Sequence, residues 1–284
     1  MAASTQPIRA GVIGSPVEHS RSPMIHRAAA EATGVLLEYD AIDVKPGDLA
    51  AAIAMVRETN MRGLSVTMPH KEAVIGELDE LTEVATLLGA VNHVTNNGGH
   101  LVGNNTDGDG FLLGLAHAHG IDVSGMHVAV FGAGGAARAI INACSRGGAR
   151  KISVIARNVE RARFAATVGG RVAAAASSSA LQTADLVVNA TPVGMAGTPG
   201  MGQVPFEVHA LADHAVVVDI VYDPVDTPLL RAAAARSLRA VDGLGMLAGQ
   251  AAAQFSAWTG VEAPLDVMIV AAAGGGVAEN SSIS

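Results

Sequence analysis

The most restrictive feature of the sequence is a glycine-rich segment that directly follows a short apolar run. His127–Phe131 has the length and composition of a buried strand, and Gly132-Ala133-Gly134-Gly135-Ala136-Ala137 follows it. This order fits the G-x-G-x-x-G/A pattern, in which a strand ends, the chain turns and a helix begins. The glycines permit the tight turn and let backbone amides approach a pyrophosphate at the helix N-terminus. The segment therefore predicts a dinucleotide-binding unit.

Strand and helix patterns alternate along the rest of the chain. Predicted strands occupy residues 9–13, 36–44, 63–67, 151–156, 185–189 and 215–220, and predicted helices occupy residues 23–32, 46–58, 110–119, 160–168, 227–236 and 244–258. A hairpin is predicted over residues 91–102, with its turn at Asn97-Gly98-Gly99. The strand–helix rhythm predicts an α/β protein whose second half is a doubly wound parallel sheet with right-handed crossovers.

The ends of the predicted helices carry further signals. Ser22 is expected to be the N-cap of the first helix, with Pro23 at its first position. The helix over residues 244–258 is expected to be the last one. Residues 274–284 are rich in Gly and Ser and are expected to be disordered.

Composition excludes several classes of function. The 284 residues suit two domains, and the net charge of -8 disfavours nucleic-acid binding because there is no excess of cations for the phosphates. Cys144 is the only cysteine, so an intrachain disulfide is impossible. The histidines lack metal-ligand spacing, and the longest uncharged run, residues 186–206, contains three prolines. We therefore expect a cytoplasmic protein without a metal, a membrane segment or a signal peptide.

The end of the second strand of the predicted nucleotide-binding unit indicates which cofactor binds. A site for NAD usually places Asp or Glu there, whereas this chain has Arg157-Asn158 with Arg161 four residues after Arg157. Guanidinium groups can hold a 2′-phosphate through paired hydrogen bonds. The alternative is two solvated surface arginines. The sequence therefore favours NADP over NAD.

Polar residues cluster at predicted strand ends in the first half of the chain. Ser20 and Ser22 precede a helix, where two hydroxyls and free amides can hold a carboxylate, although Ser22 can also serve as an N-cap alone. Ser65 and Thr67 point to one face of a strand because their spacing is two.

Lys71 and Asp107 are the candidates for acid–base chemistry. A carboxylate can orient an ammonium group that gives its proton to a developing alkoxide. An ordinary salt bridge, or an N-cap in the case of Asp107, is the structural alternative. The nucleotide-binding pattern favours the catalytic interpretation.

Seven blocks of the sequence, in order, resemble the shikimate dehydrogenase family, and the resemblance runs from about Ile8 to Trp258. The blocks are residues 14–16 with 19–23, 66–71, 89–92, 105–108, the glycine loop, 188–195 and 242–250. Such a resemblance implies NADPH-dependent reversible reduction of 3-dehydroshikimate to shikimate, with Lys71 and Asp107 as the catalytic pair. It also implies an N-terminal α/β substrate domain, a Rossmann-type domain, and C-terminal helices that return to the first domain.

The resemblance also assigns the remaining site residues and the domain limits. Implied substrate ligands, besides the catalytic pair, are Ser20, Ser22, Ser65, Thr67, Asn92, Tyr222 and Gln250. Implied cofactor-binding residues are Glu83, Gly132, Ala133, Gly134, Gly135, Ala136, Ala156, Arg157, Asn158, Arg161, Ile220, Gly243 and Met246. The expected domains are residues 1–107 for substrate, 108–242 for NADP and 243–284 for the C-terminal helices.

This chain departs from the family at three positions. Ser65 stands where the family often has a substrate-binding Asn, and Ala156 and Asn158 stand where it often has Asn and Thr. Two alternatives remain open: a quinate/shikimate dehydrogenase that uses NAD, and a non-catalytic nucleotide-binding regulatory module. The expected partners are small molecules, with the chain as a monomer or homodimer.

Overall fold

The structure is a computed structural model that describes residues 6–274. The chain divides into two compact units. The first contains the described residues up to Thr106 and those from Ala251 onward, and the second is Asp107–Gln250. Each unit is built around a six-stranded sheet.

The first unit has a mixed sheet flanked by helices. Its elements before Thr106 are β1 (Ile8–Gly14), α1 (Ser22–Thr33), β2 (Leu37–Asp43), α2 (Leu49–Glu58), β3 (Met61–Val66), β4 (Glu80–Leu81), α3 (Glu83–Leu88), β5 (His93–Asn97) and β6 (His100–Asn104). The strand order is β2-β1-β3-β5-β6-β4. β1 is parallel to β2 and β3, whereas β5 is antiparallel to β3 and β6. Apolar side chains of β1, β3, β5 and α2 form one buried core cluster.

The predicted hairpin is confirmed as β5–β6. Asn97 pairs with His100, which leaves Gly98 and Gly99 as a two-residue loop. Both glycines have positive φ, 65° and 95°, which side chains other than glycine rarely adopt. β5 begins at His93, two residues after the predicted start at Val91.

The second unit is the predicted doubly wound parallel sheet. The elements from Asp107 onward are α4 (Asp107–His119), β7 (His127–Phe131), α5 (Gly135–Arg146), β8 (Lys151–Ile155), α6 (Val159–Thr167), β9 (Ala173–Ala175), β10 (Leu186–Asn189), β11 (Val216–Asp219), α7 (Pro228–Ala235), β12 (Arg239–Val241), α8 (Leu244–Thr259) and α9 (Leu265–Ala272). The strand order is β12-β11-β10-β7-β8-β9, and every neighbouring pair is parallel. The central strands β7 and β10 are buried almost throughout, as expected for a sheet covered on both faces.

The C-terminal part of the chain differs from the sequence prediction. The prediction that residues 244–258 form the last helix is wrong, because α9 follows α8. α9 packs against α1 within the first unit, and Arg21 Nη1 donates to the Ala272 carbonyl oxygen at 2.6 Å. Residues 275–284, for which disorder was expected, lie outside the described residues.

The start of α1 also differs from the prediction. Arg21, not Ser22, is the N-cap, and no side-chain hydrogen bond caps the helix. Ser22 is the first helical residue and is buried. It lies beside the phenolic oxygen of Tyr39 on β2, so a tertiary contact replaces the expected cap.

None of the helices between residues 6 and 274 combines the length and the apolarity that crossing a bilayer requires. In the same range no group of three or more His, Cys, Asp or Glu side chains is arranged to hold a metal ion.

Candidate active site

The carboxyl ends of β1 and β3 lie side by side in the first unit and carry the polar segments found in the sequence. Ile13 pairs with Val66, and the Thr67 amide donates to the Ile13 carbonyl at 2.9 Å. The Ser15 amide donates to the Met68 carbonyl at 3.0 Å, so the loops after the two strands are joined. Thr67 is half-buried at this edge of the sheet.

The turn that carries Lys71 is held by several hydrogen bonds. The His70 amide donates to the Thr67 carbonyl at 2.9 Å, and its buried ring donates from Nε2 to the Val44 carbonyl at 2.6 Å. The Lys71 carbonyl accepts from the Val91 amide at 2.7 Å. The backbone of Lys71 is therefore fixed to two neighbouring segments while its side chain stays half-buried.

Asn92 and Thr106 form a closely bonded pair in the first unit. The Thr106 amide donates to Asn92 Oδ1 at 2.7 Å, and Asn92 Nδ2 donates to Thr106 Oγ1 at 3.0 Å. Both side chains are buried. Asp107 follows Thr106 as the first residue of α4 and is itself buried.

The two serines before α1 differ in their surroundings. Ser20 is half-buried, and its Oγ accepts from the Ser22 amide at 3.3 Å. Ser22 is buried next to Tyr39. Ser65 is also buried, and its hydroxyl bonds to Tyr39 and Gln254.

The glycine loop of the second unit has the shape that a pyrophosphate requires. Gly132 has a φ of +125°, and a Cβ there would lie 2.6 Å from the Ala190 carbonyl oxygen. Around Gly134, by contrast, a Cβ would meet no atom within 4 Å. Gly134 is also the N-cap of α5, and no side chain caps its first amides. The helix therefore starts beside open space with amide donors available to an anion, which fits a dinucleotide. Ala133, Gly135 and Ala136 complete this loop and are partly exposed.

The cations predicted to bind the 2′-phosphate stand at the carboxyl end of β8. Ala156 and Arg157 follow that strand, and Asn158 caps α6 by accepting from the Arg161 amide at 3.0 Å. Arg157 and Arg161 are exposed, and neither forms an ion pair with any described residue. Glu160 pairs instead with Arg163 at 2.7 Å. The strand end is therefore followed by two guanidinium groups that have no ionic partner among the described residues.

The adjacent strand ends of the second unit are organised by a buried carboxylate. Asp219 at the end of β11 is 0% exposed and accepts hydrogen bonds from Asn189 Nδ2 at 2.9 Å, Thr227 Oγ1 at 2.7 Å and the Val221 amide at 3.1 Å. Burial raises the pKa of the Asp219 carboxyl, and the hydrogen bonds oppose that shift. The three donors fix the start of the loop that carries Tyr222, which is half-buried.

Three of the predicted cofactor residues line one pocket of the second unit, namely Ile220, Gly243 and Met246. A Cβ on Gly243 would lie 2.5 Å from the Ile220 carbonyl oxygen, so only glycine fits there. Gln250 on α8 is buried, and its Nε2 donates to the Leu247 carbonyl at 2.9 Å. Glu83 is the exception among the cofactor candidates, because it is exposed at the start of α3 in the first unit.

The fold and the site together define a class of protein. The second unit combines a parallel sheet, a glycine loop that leads into an uncapped helix, and two exposed arginines at the end of the next strand. This combination is typical of an NADP-dependent oxidoreductase. Comparison with known families agrees. Residues 12–94 match the shikimate dehydrogenase substrate binding domain, residues 243–272 match the shikimate 5′-dehydrogenase C-terminal domain, and residues 127–222 match an NADP oxidoreductase family described as coenzyme F420-dependent.

Individual relatives cover nearly the whole chain. The shikimate dehydrogenase (NADP(+)) of Symbiobacterium thermophilum is 44% identical in an alignment of 274 positions that covers 92% of this chain and 92% of that one. The shikimate 5-dehydrogenase of Thermus thermophilus, solved with NADP(H) and shikimate, superposes with a TM-score of 0.87 at 37% identity over 94% of this chain and 98% of that one. The quinate dehydrogenase of Corynebacterium glutamicum, solved with NAD, gives a TM-score of 0.83 at 34% identity over 93% and 98%. The chain belongs to the shikimate dehydrogenase family.

Proposed function

We propose that this chain catalyses the reversible NADPH-dependent reduction of 3-dehydroshikimate to shikimate. The observation that carries the proposal is the 44% identity over 92% of both chains to a shikimate dehydrogenase (NADP(+)). The end of β8 in the second unit supports the same activity, because the exposed side chains of Arg157 and Arg161 are suited to binding a 2′-phosphate.

The glycine loop and the residues at the end of β8 would hold NADPH, which would supply the hydride for the C3 carbonyl of the substrate. The chain's own residues supply the proton and the binding contacts. Lys71 gives its proton to the oxygen that becomes the hydroxyl, and Asp107 stabilises and orients the ammonium group. The hydrogen bonds around His70 and Lys71 hold the backbone of the proton donor before substrate arrives, which lowers the cost of orientation.

The remaining polar residues bind and orient the substrate. Ser20 and Ser22 are assigned to its carboxylate, and the other proposed ligands are Thr67, Asn92, Tyr222 and Gln250. Asn92 is well suited to a fixed contact because Thr106 holds its side-chain amide in one orientation. The proposed cofactor ligands in the second unit are the glycine loop (residues 132–136), residues 156–158 with Arg161, and the pocket residues Ile220, Gly243 and Met246. Glu83 is the proposed cofactor ligand of the first unit.

Oxidation of quinate with NAD is the second candidate, because a quinate dehydrogenase is among the structural relatives. The end of β8 weighs against it. Ala156-Arg157-Asn158 offers no carboxylate for the ribose hydroxyls of NAD, and Glu160 is paired with Arg163. The presence of both Lys71 and Asp107 weighs against a purely regulatory module.

One experiment separates these possibilities. Initial rates of NADPH or NADH formation are measured with shikimate and with quinate, each with NADP and with NAD. We expect the combination of shikimate with NADP to have the highest kcat/KM. Highest efficiency with quinate and NAD would contradict the proposal, and no turnover with any of the four combinations would favour the regulatory module.

A further inference from the structure

A buried network of hydrogen-bonded polar side chains lies in the first unit. Tyr39 Oη and Ser65 Oγ are 2.6 Å apart, and Ser65 also bonds to Gln254 Oε1. Tyr39 is 1% exposed, Ser65 5% and Gln254 0%. Ser22 of α1 lies beside the Tyr39 hydroxyl. Residues from α1, β2, β3 and α8 thus meet in one network.

The available donors and acceptors fix the direction of each hydrogen bond in this network. Gln254 Oε1 can only accept, so the Ser65 hydroxyl donates to it. Ser65 has a single hydroxyl proton, and therefore Tyr39 donates to Ser65. The one proton that Ser65 can offer is already committed to Gln254.

The amide nitrogen of Gln254 reaches the other side of the network. Nε2 lies 3.3 Å from the Asn92 carbonyl oxygen and 3.2 Å from Thr106 Oγ1. A carbonyl oxygen can only accept, which fixes the orientation of the Gln254 amide. The same two residues, Asn92 and Thr106, are bonded to each other, and Thr106 immediately precedes Asp107.

We propose that Gln254 is a positioning residue for the substrate: it holds Asn92 and the segment leading into Asp107, and Ser65 acts by orienting Gln254 rather than by touching the substrate. The inference rests on the proposed function, because it assumes that Asn92 and Asp107 serve the reaction of shikimate. Without Gln254 Nε2 the Asn92 carbonyl keeps the Val66 amide as a donor, and Thr106 Oγ1 keeps Asn92 Nδ2. Each group loses one of the hydrogen bonds that fix its orientation, which allows it to shift.

Gln254→Met tests the proposal, because Met has a similar volume, no hydrogen-bond donor and only a weakly accepting sulfur. We expect KM for shikimate to rise about tenfold and kcat to fall by a similar factor, since small displacements in an active site have effects of this order. KM for NADP stays within about twofold of the parent value. The matched control is Ala253→Met, which places the same side chain on the exposed neighbouring position of α8 and leaves both KM values unchanged.

The role of Ser65 is tested by a double-mutant cycle. Ser65→Ala has a smaller effect than Gln254→Met in the parent and no further effect when Gln254 is already Met, because the two act through one path. A full additional rise in KM for shikimate in the Gln254→Met background would show that Ser65 touches the substrate, and it would overturn this part of the inference.

Gln254→Glu provides a second test, based on the pH dependence of kcat/KM, if Gln254→Met does not fold. Only a protonated carboxyl can donate a hydrogen bond, and its single proton serves either the Asn92 carbonyl or Thr106 Oγ1. We therefore expect kcat/KM for shikimate, relative to the parent, to rise as the pH is lowered from about 8 to about 6. A ratio that is flat or falls over this range overturns the proposal. A parent without activity on shikimate and NADP contradicts the proposed function itself, whereas an active parent whose Gln254→Met variant keeps its shikimate constants overturns only this inference.

Discussion

The side-chain oxygen of Asn158 lies 3.0 Å from the Arg161 backbone amide and accepts its hydrogen bond. This cap starts α6 at a point where Arg157 precedes the helix and Arg161 lies in its first turn. Cations near a helix N-terminus oppose the helix dipole, so this arrangement lowers the stability of the free protein. A bound phosphate reverses the sign of that interaction.

The arginines are expected to determine cofactor preference. In Arg157→Ala/Arg161→Ala the 2′-phosphate of NADP loses charge-assisted hydrogen bonds, each contributing roughly 1.5–3 kcal/mol. We expect kcat/KM for NADP to fall by about tenfold or more per arginine, with a much smaller change for NAD. Arg163→Ala, on the same helix but paired with Glu160, is the control. Equal losses for NADP and NAD would show that the arginines do not recognise the phosphate.

Lys71 is expected to act in the chemical step. Lys71→Met keeps the length of the side chain and removes its proton, so kcat falls by about 10²–10⁴, while KM for shikimate changes less. Lys151→Met removes an exposed lysine at the start of β8 and leaves kcat unchanged. Asp107→Asn also lowers kcat, and its effect combined with that of Lys71→Met is less than multiplicative because the two act as a unit. Near-parental turnover of the Lys71→Met protein would remove this residue from the mechanism.

The sequence predicted most of the second unit because its signals are local. The glycine loop follows a buried strand directly, and the apolar runs of β7 and β10 need no partner to be recognised. The strand Ala173–Ala175 was not predicted, because three alanines have no strand preference and pair only where β8 presents an edge.

The polar networks could not be predicted, because they join residues far apart in the chain. Ser65 and Gln254 are separated by 189 positions. Tyr39 lies between exposed residues of β2, a pattern that indicates a buried side chain but not its hydrogen-bond partners. Asn189 stood in a recognised block, yet its bond to Asp219 depends on the register of β10 against β11. Local patterns thus identified the segments of the site but not the residues that hold them.

Two buried histidines make stability depend on pH. His26 stacks on Tyr39 with ring centroids 4.2 Å apart, and burial lowers its pKa to about 3, with a further contribution from His93. Burial lowers the pKa of His93 to about 4. As the pH falls below the ordinary value of 6.5, the unfolded chain takes up protons that the folded chain does not. Stability present above pH 6.5 is therefore lost on acidification, by up to about 1.4 kcal/mol per pH unit for each histidine.

Urea denaturation between about pH 7 and about pH 5 measures this loss. His26→Phe keeps an aromatic ring beside Tyr39 and removes one titrating group, so the dependence of the unfolding free energy on pH becomes shallower. His209→Asn, which changes an exposed histidine, is the control. An unchanged slope in His26→Phe would mean that His26 takes up its proton with the same pKa in the folded and the unfolded chain.

Gly63 on β3 is expected to tolerate no side chain. A Cβ there would lie 2.1 Å from the Val94 carbonyl oxygen and 2.3 Å from Trp258 Nε1, and these two atoms are themselves hydrogen-bonded at 3.2 Å. Neither is the end of a flexible chain, so Gly63→Ala must push β3 away from β5, and such overpacking destabilises by about 1–3 kcal/mol. β3 also carries Ser65 and leads into Thr67, so KM for shikimate rises in the same variant. Gly76→Ala is the control, because a Cβ there meets nothing within 4 Å, and it leaves stability unchanged or raises it by up to about 1 kcal/mol. Trp258 is the only tryptophan of the chain, so its fluorescence during unfolding reports on this contact. If the two alanine variants unfolded at the same denaturant concentration, the close approach of Gly63, Val94 and Trp258 would not exist in solution.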